Sequence, residues 1–231
     1  MGTWGRGRNR CSVVALVVAT IVLASCSSSS DSGGDGARSG EPTAEGATGQ
    51  FSVLSYNVAG LPAEVSKVDP ETNIPLISPK LEDYDVVLTQ EDFDWWAPDG
   101  LAAGLDFVNY HDRLRADTTH PYVTDAHPGP EAVELDTADR PAPQVGDGLG
   151  VLSRFPITPA DRVPWTGCAD DGAADCLSMK GFLFTRMTLA DGVEVDVYNL
   201  HGEAGSTEVD QQLQVADFAQ LAAYIEANSE G

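Results

Sequence analysis

Three polar residues sit where an apolar run gives way to a loop. Asn57 follows Phe51-Ser52-Val53-Leu54-Ser55-Tyr56, Glu91 follows Asp85-Val86-Val87-Leu88-Thr89-Gln90, and His201 follows the run from Val193 to Leu200. A carboxylate and an amide oxygen are hard donors, suited to Mg2+ or Ca2+. A histidine beside such a cation can steady a phosphoryl oxygen or move a proton. Singly, each residue has an ordinary alternative: a turn asparagine, a solvated carboxylate, a structural histidine. The chemistry therefore depends on elements that bring the three loop ends together.

Those elements are partly legible. Residues 51–57 and 85–91 are rich in β-formers and read as strands, and Val58-Ala59-Gly60-Leu61-Pro62 is a loop signal between them. Ser78-Pro79 can cap and start a short helix through Tyr84, and residues 97–105 form another short helix in this reading. The stretch 109–147 is polar and loop-like, a length that often marks function. Leu149 to Ser153 is a third strand. Gly181 to Leu189 and Val193 to Leu200 flank Asp191-Gly192, a hairpin turn. In the second arm Val193, Val195 and Val197 alternate with polar neighbours, so one face is buried. A helix spans 206–228, with Thr207 and Asp210 placed as a capping box. Its 3- and 4-residue spacing predicts burial of Val209, Leu213, Ala216, Leu221, Tyr224 and Ile225. The mixture, with one clear antiparallel hairpin, points to sheets packed face to face under helices rather than a doubly wound parallel fold.

The 231 residues carry 13 Lys and Arg against 36 Asp and Glu, a formal charge of −23. The apolar content of 42% supplies a packed core and excludes a disordered chain. No internal repeat is visible, which excludes solenoids and propellers. A body this acidic repels phosphate backbones and counts against non-specific nucleic-acid binding.

The first 26 residues differ from the rest. Arg6, Arg8 and Arg10 precede the apolar run Val13 to Leu23, and Ala24-Ser25-Cys26 follows. That is the plan of a secretory signal, and the apolar run is too short to span a membrane. Leu23-Ala24-Ser25-Cys26 resembles the lipobox of bacterial lipoproteins, which implies cleavage before Cys26 and a diacylglycerol on its thiol. The alternative is an ordinary cleaved signal. Residues 27–50 have no apolar period and read as a flexible tether, leaving 51–231 as one domain. An exported body favours a disulfide between its two cysteines, Cys168 and Cys176, contributing about 2.5 kcal/mol for so short a loop. Metal binding is the alternative, although no histidine lies nearby to complete a zinc set.

Several motifs occur in order: Leu54-Ser55-Tyr56-Asn57-Val58, Asp85 to Asp92, Gly146-Asp147-Gly148-Leu149 with Ser153-Arg154-Phe155-Pro156-Ile157, and Tyr198-Asn199-Leu200-His201. The series resembles the endonuclease/exonuclease/phosphatase superfamily with its deoxyribonuclease-like fold. Gly167-Cys168, Asp175-Cys176-Leu177-Ser178 and Lys180-Gly181-Phe182 look like the corresponding segment of bacterial neutral sphingomyelinases. The resemblance implies an α/β (α+β) fold, a four-layer α-β-β-α sandwich of two mixed sheets. It implies phosphodiester cleavage with a divalent cation, usually Mg2+. It places Asn57 and Glu91 on the metal and His201 on the scissile phosphate, with Asn199 as a further phosphate contact and Asp147 in a loop facing the cleft. His111, His120 and His127 match nothing in the family pattern and read as loop residues. The family closes its site with a Gly-Asp-x-Asn motif and an Asp-His pair, and neither occurs in these residues. The expectation is a C-terminally incomplete domain, with little or no phosphodiesterase activity from residues 27–231 alone.

The leading functional expectation is a lipid-anchored, Mg2+-dependent phosphodiesterase of the sphingomyelinase-like branch. It would be exported, extracytoplasmic and monomeric, and act on a phospholipid or another small phosphodiester. The alternatives are an extracellular nuclease on the same scaffold and a catalytically silent surface-binding lipoprotein.

Overall fold

The computed structural model describes residues 49–97, 99, 104–105, 108–129, 142–169 and 175–229. The signal segment, Cys26, nearly all of the tether and most of the expected 97–105 helix lie outside the described residues. Strand β1 (Val53–Asn57) leads through helices α1 (Ala63–Ser66) and α2 (Pro70–Ile77) and a 3-10 turn (Ser78–Asp83) to β2 (Val86–Gln90). Helix α3 (Tyr110–Arg115) and strands β3 (Tyr122–Val123), β4 (Gly150–Ser153) and β5 (Asp161–Pro164) follow. A short 3-10 turn (Asp175–Leu177) precedes the hairpin β6 (Gly181–Ala190) and β7 (Val193–Leu200), and α4 (Glu208–Asn228) closes the order.

Two sheets result. The first has order β1-β2-β4-β3, with β1 parallel to β2 and the other pairings antiparallel. The second, β5-β6-β7, is antiparallel throughout as described. Strand side chains alternate between faces, and three apolar cores show where each face goes. Val87 and Leu152 join Ile74, Leu81, Tyr110 and Leu114 beneath α2 and α3. Val86 and Val151 face the other way and meet Leu183 and Met187 between the sheets. Phe182 turns outward with Trp165 to meet Leu221 of α4. The layers are helix, sheet, sheet, helix, the four-layer sandwich implied by the sequence. No helix among the described residues is long and apolar enough to cross a membrane.

Some elements depart from the sequence expectation. The Ser78–Tyr84 helix is a 3-10 turn, preceded by an unforeseen α2 capped by Asp69, whose carboxylate accepts from Thr72 N at 3.1 Å. The polar stretch 109–147 is not all loop. Asn109 caps α3 by accepting from Asp112 N, and β3 adds an edge to the first sheet. Helix α4 starts on the expected Thr207–Asp210 capping box, but its buried face is rotated. Asp210, Asp217 and Leu221 face inward, whereas Val209, Ala216 and Ile225 are exposed. Asp210 accepts from Thr207 N at 2.7 Å and Asp217 from Glu203 N at 3.4 Å, so carboxylates occupy the face that the periodicity assigned to apolar side chains.

Candidate active site

The sandwich brings three strand ends together. Asn57 ends β1 and is the register partner of Gln90, so the parallel pairing sets Asn57 beside Glu91. Asn57 Nδ2 donates to Glu91 Oε1 at 2.8 Å, and Asn57 Oδ1 accepts from Ala59 N at 2.9 Å. His201 follows β7 on the second sheet, and its Nε2 lies 3.9 Å from Glu91 Oε1. Its backbone is pinned on both sides: His201 N donates to Gly181 O at 2.9 Å, and its carbonyl accepts from Trp165 Nε1 at 2.8 Å.

Glu91 leaves β2 in the left-handed region, φ 57°, which costs a non-glycine residue about 1–2 kcal/mol. Two close approaches hold it there. A Cβ on Gly60 would collide with the Glu91 backbone oxygen, and one on Gly148 would lie 2.9 Å from Glu91 Cα. Gly148 O also accepts from Asp92 N at 2.9 Å. Asp92 itself is buried against Arg115, 2.8 Å away. The turn that presents the Glu91 carboxylate is therefore fixed by neighbouring loops from both sides.

Burial lowers the pKa of His201 below the ordinary histidine value, the Lys180 ammonium lowers it further, and the Glu91 carboxylate opposes both. Behind His201, Lys180 is ion-paired with Asp175, and both are buried. Glu203 adjoins them. Burial, then hydrogen bonding and repulsion from Asp175, push its pKa up to about 8. A disulfide joins Cys168 and Cys176, immediately beside Asp175.

Asn199 is placed otherwise than the sequence implied, whereas the Asp147 loop does face the site, with its backbone carbonyl hydrogen-bonded to the His201 ring. Asn199 donates from Nδ2 to Thr89 O at 2.8 Å and Gly150 O at 3.0 Å, while its Oδ1 accepts from Gln90 Nε2 at 2.7 Å. Both amide hydrogens are spent on carbonyls, which leaves no donor for a phosphate. Asp147 is buried, and its two carboxylate oxygens lie 2.7 Å from Arg162 Nη1. Its carboxylate is an anchor within the protein rather than an open group on a cleft. The three other histidines are buried and structural. His111 lies in α3, His120 Nε2 sits 2.9 Å from Tyr84 O, and His127 Nδ1 accepts from Gly129 N. Gln90, Arg162 and Glu203 were not among the sequence candidates. Gln90 could have been found, since it sits inside the strand-end motif, but nothing local marks the other two.

Glu91 and Asn57 supply one carboxylate and one amide oxygen. No group of three or more His, Cys, Asp or Glu side chains arranged for a metal occurs among the described residues. Two oxygen donors fit Mg2+, which keeps several of its waters and takes one or two protein carboxylates with substrate oxygens.

The sequence matches the model of the Endonuclease/Exonuclease/phosphatase family over residues 54–223. It is 33% identical over 186 residues to the sphingomyelinases of Mycobacterium tuberculosis and Mycobacterium bovis, an alignment covering 80% of this chain and 32% of each relative. The chain thus spans about a third of the length of the curated relatives it matches. In fold it resembles a beta toxin variant from Staphylococcus aureus with bound magnesium ions, with TM-score 0.57, 17% identity and coverage of 78% of this chain and 60% of that one. It also resembles sphingomyelinase C from Streptomyces griseocarneus, with TM-score 0.53, 20% identity and coverage of 80% and 61%. Motif order, layer architecture and the family match agree: this chain belongs to the endonuclease/exonuclease/phosphatase family.

Proposed function

We propose that this domain hydrolyses a phosphodiester with a divalent cation, and that its substrate is a phospholipid of the sphingomyelin type. The observation that carries the reading is the meeting of Asn57, Glu91 and His201 at the ends of strands from two sheets, with His201 Nε2 3.9 Å from Glu91 Oε1. Glu91 and Asn57 would hold the cation, which supplies Lewis-acid polarisation of the phosphoryl group when bound. Glu91 is kept in place by its left-handed turn and by the Asn57 amide. His201 directs its imidazole at the same point and donates to a phosphoryl oxygen on which negative charge grows. A donor fixed in advance needs no reorganisation as that charge develops.

Charge supports a lipid head group over a nucleic acid. Arg113, Arg115, Arg154, Arg162 and Arg186 each lie within 4.0 Å of a carboxylate, so among the described residues the arginines are neutralised internally rather than gathered along a groove. The similarity to sphingomyelinases points the same way. The Leu23-Ala24-Ser25-Cys26 junction supports a lipid anchor on Cys26, with the domain outside the cell membrane.

The test offers sphingomyelin vesicles, phosphatidylinositol phosphate vesicles and plasmid DNA, with and without Mg2+. Both this chain and one extended with the remaining domain of a sphingomyelinase relative are assayed. Head-group release by the extended form that requires Mg2+ and is lost in Glu91→Ala is the expected result. Preferential cleavage of DNA, or lipid turnover indifferent to EDTA, would overturn the reading.

A further inference from the structure

We propose that Gln90 and Asn199 form a clasp between the two sheets that sets the separation of Glu91 from His201; the proposal rests on the site reading above. Gln90 immediately precedes Glu91 on the first sheet, and Asn199 lies two residues before His201 on the second. Their side chains meet at 2.7 Å, across 109 residues of sequence. Asn199 also binds Thr89 O and Gly150 O, which belong to register partners on β2 and β4. One amide on β7 therefore grips two strands of the opposite sheet as well as the side chain next to Glu91.

Most of the inter-sheet layer is apolar, built on Val86, Leu149, Val151, Leu183 and Met187, with polar links where Arg162 Nη1 donates to Asp147 and to Leu149 O and where Ser153 Oγ meets Met187 Sδ. Apolar contact is non-directional, so it sets the spacing of the two faces more firmly than the alignment of particular atoms across them. Hydrogen bonds weaken steeply with misalignment, so the clasp and the Arg162 contacts fix registry at this end of the layer, and the clasp is the link that adjoins Glu91. Asn199 is 2% exposed with every amide position used, and a buried amide is tolerated only when so satisfied. Gln90 and Asn199 are then positioning residues. They touch no substrate, and they act by aligning Glu91 with His201.

The test introduces Gln90→Met, which keeps the side chain's length, and Asn199→Leu, which keeps its branching, into the full chain and into the extended domain. Gln90 is only half-buried, so Gln90→Met keeps the test open if Asn199→Leu fails to fold. Three quantities are read: the His201 Nε2 to Glu91 Oε1 distance by crystallography, Mg2+ affinity by calorimetry, and kcat and KM for sphingomyelin-vesicle hydrolysis. The expected result is a separation wider than 3.9 Å by about 1 Å, with kcat down about 10- to 100-fold and KM and Mg2+ affinity within about twofold. An unchanged separation and kcat, with only a lower melting temperature, would overturn the clasp. If neither the native chain nor the extended domain shows Mg2+-dependent turnover, the site reading loses its support, and the measured separation alone decides the clasp: widening upholds it, and no change rejects it.

Discussion

Gly148→Ala puts a methyl group into the turn that holds Glu91, and its cost has two separable parts. Gly148 has φ +66°, where an alanine is strained by about 1–2 kcal/mol. The new Cβ would also lie 2.7 Å from Phe93 Cε1 and 2.9 Å from Glu91 Cα. Phe93 is 1% exposed and its ring has nowhere to go, so overpacking adds about 1–3 kcal/mol. The total is about 2–5 kcal/mol, roughly 1–2 M in urea midpoint for a domain of this kind. Gly192 provides the comparison. It has φ +73° at the β6–β7 turn with nothing within 4 Å of the added Cβ, so Gly192→Ala carries the strain without the collision. Urea unfolding of both variants isolates the second part. Because the collision bears on Glu91 Cα, Gly148→Ala also weakens Mg2+ binding, whereas Gly192→Ala leaves it intact. Unfolding free energies agreeing to within about 0.5 kcal/mol, or equal Mg2+ affinity in both, would refute the reasoning.

Two further outcomes are expected. The folded protein holds a proton on Glu203 up to about pH 8, while an unfolded carboxyl releases it near 4.5, so this group's contribution is complete in acid and is lost as pH rises from about 5 to 8. Urea midpoints across that range fall more steeply in the native protein than in Glu203→Gln; equal slopes in the two would refute the assignment. The second concerns the lipobox-like junction, which predicts that the mature protein enters the detergent phase on phase separation and that Cys26→Ser leaves it in the aqueous phase or uncleaved. Identical partitioning of the two forms would remove the anchor.

The strand ends were legible because they are local. A run of β-formers that stops on Asn57, Glu91 or His201 is visible within seven or eight residues. What could not be read is what depends on the second sheet facing the first. Asn199 looked like a phosphate contact because its neighbours in the chain are Leu200 and His201, yet its partners Thr89, Gln90 and Gly150 lie 49 to 110 residues away. The pairing of the Asp147 carboxylate was masked in the same way, since Arg162 lies on β5, a short polar edge strand with no apolar pattern of its own. The α4 face failed for a different reason. Spacing finds every apolar stripe, but the loop after His201 needed acceptors, and Asp210 and Asp217 took the inner face to provide them.

Head-group release from sphingomyelin vesicles, measured with and without Mg2+ in native, Glu91→Ala and Asn199→Leu forms of the extended domain, tests the central claim most directly. The geometry predicts Mg2+-dependent turnover in the native form, none in Glu91→Ala, and a reduced kcat with unchanged KM in Asn199→Leu. Undiminished turnover in Glu91→Ala, still requiring Mg2+, would mean that the metal is held elsewhere and that the meeting of Asn57, Glu91 and His201 is not the catalytic site.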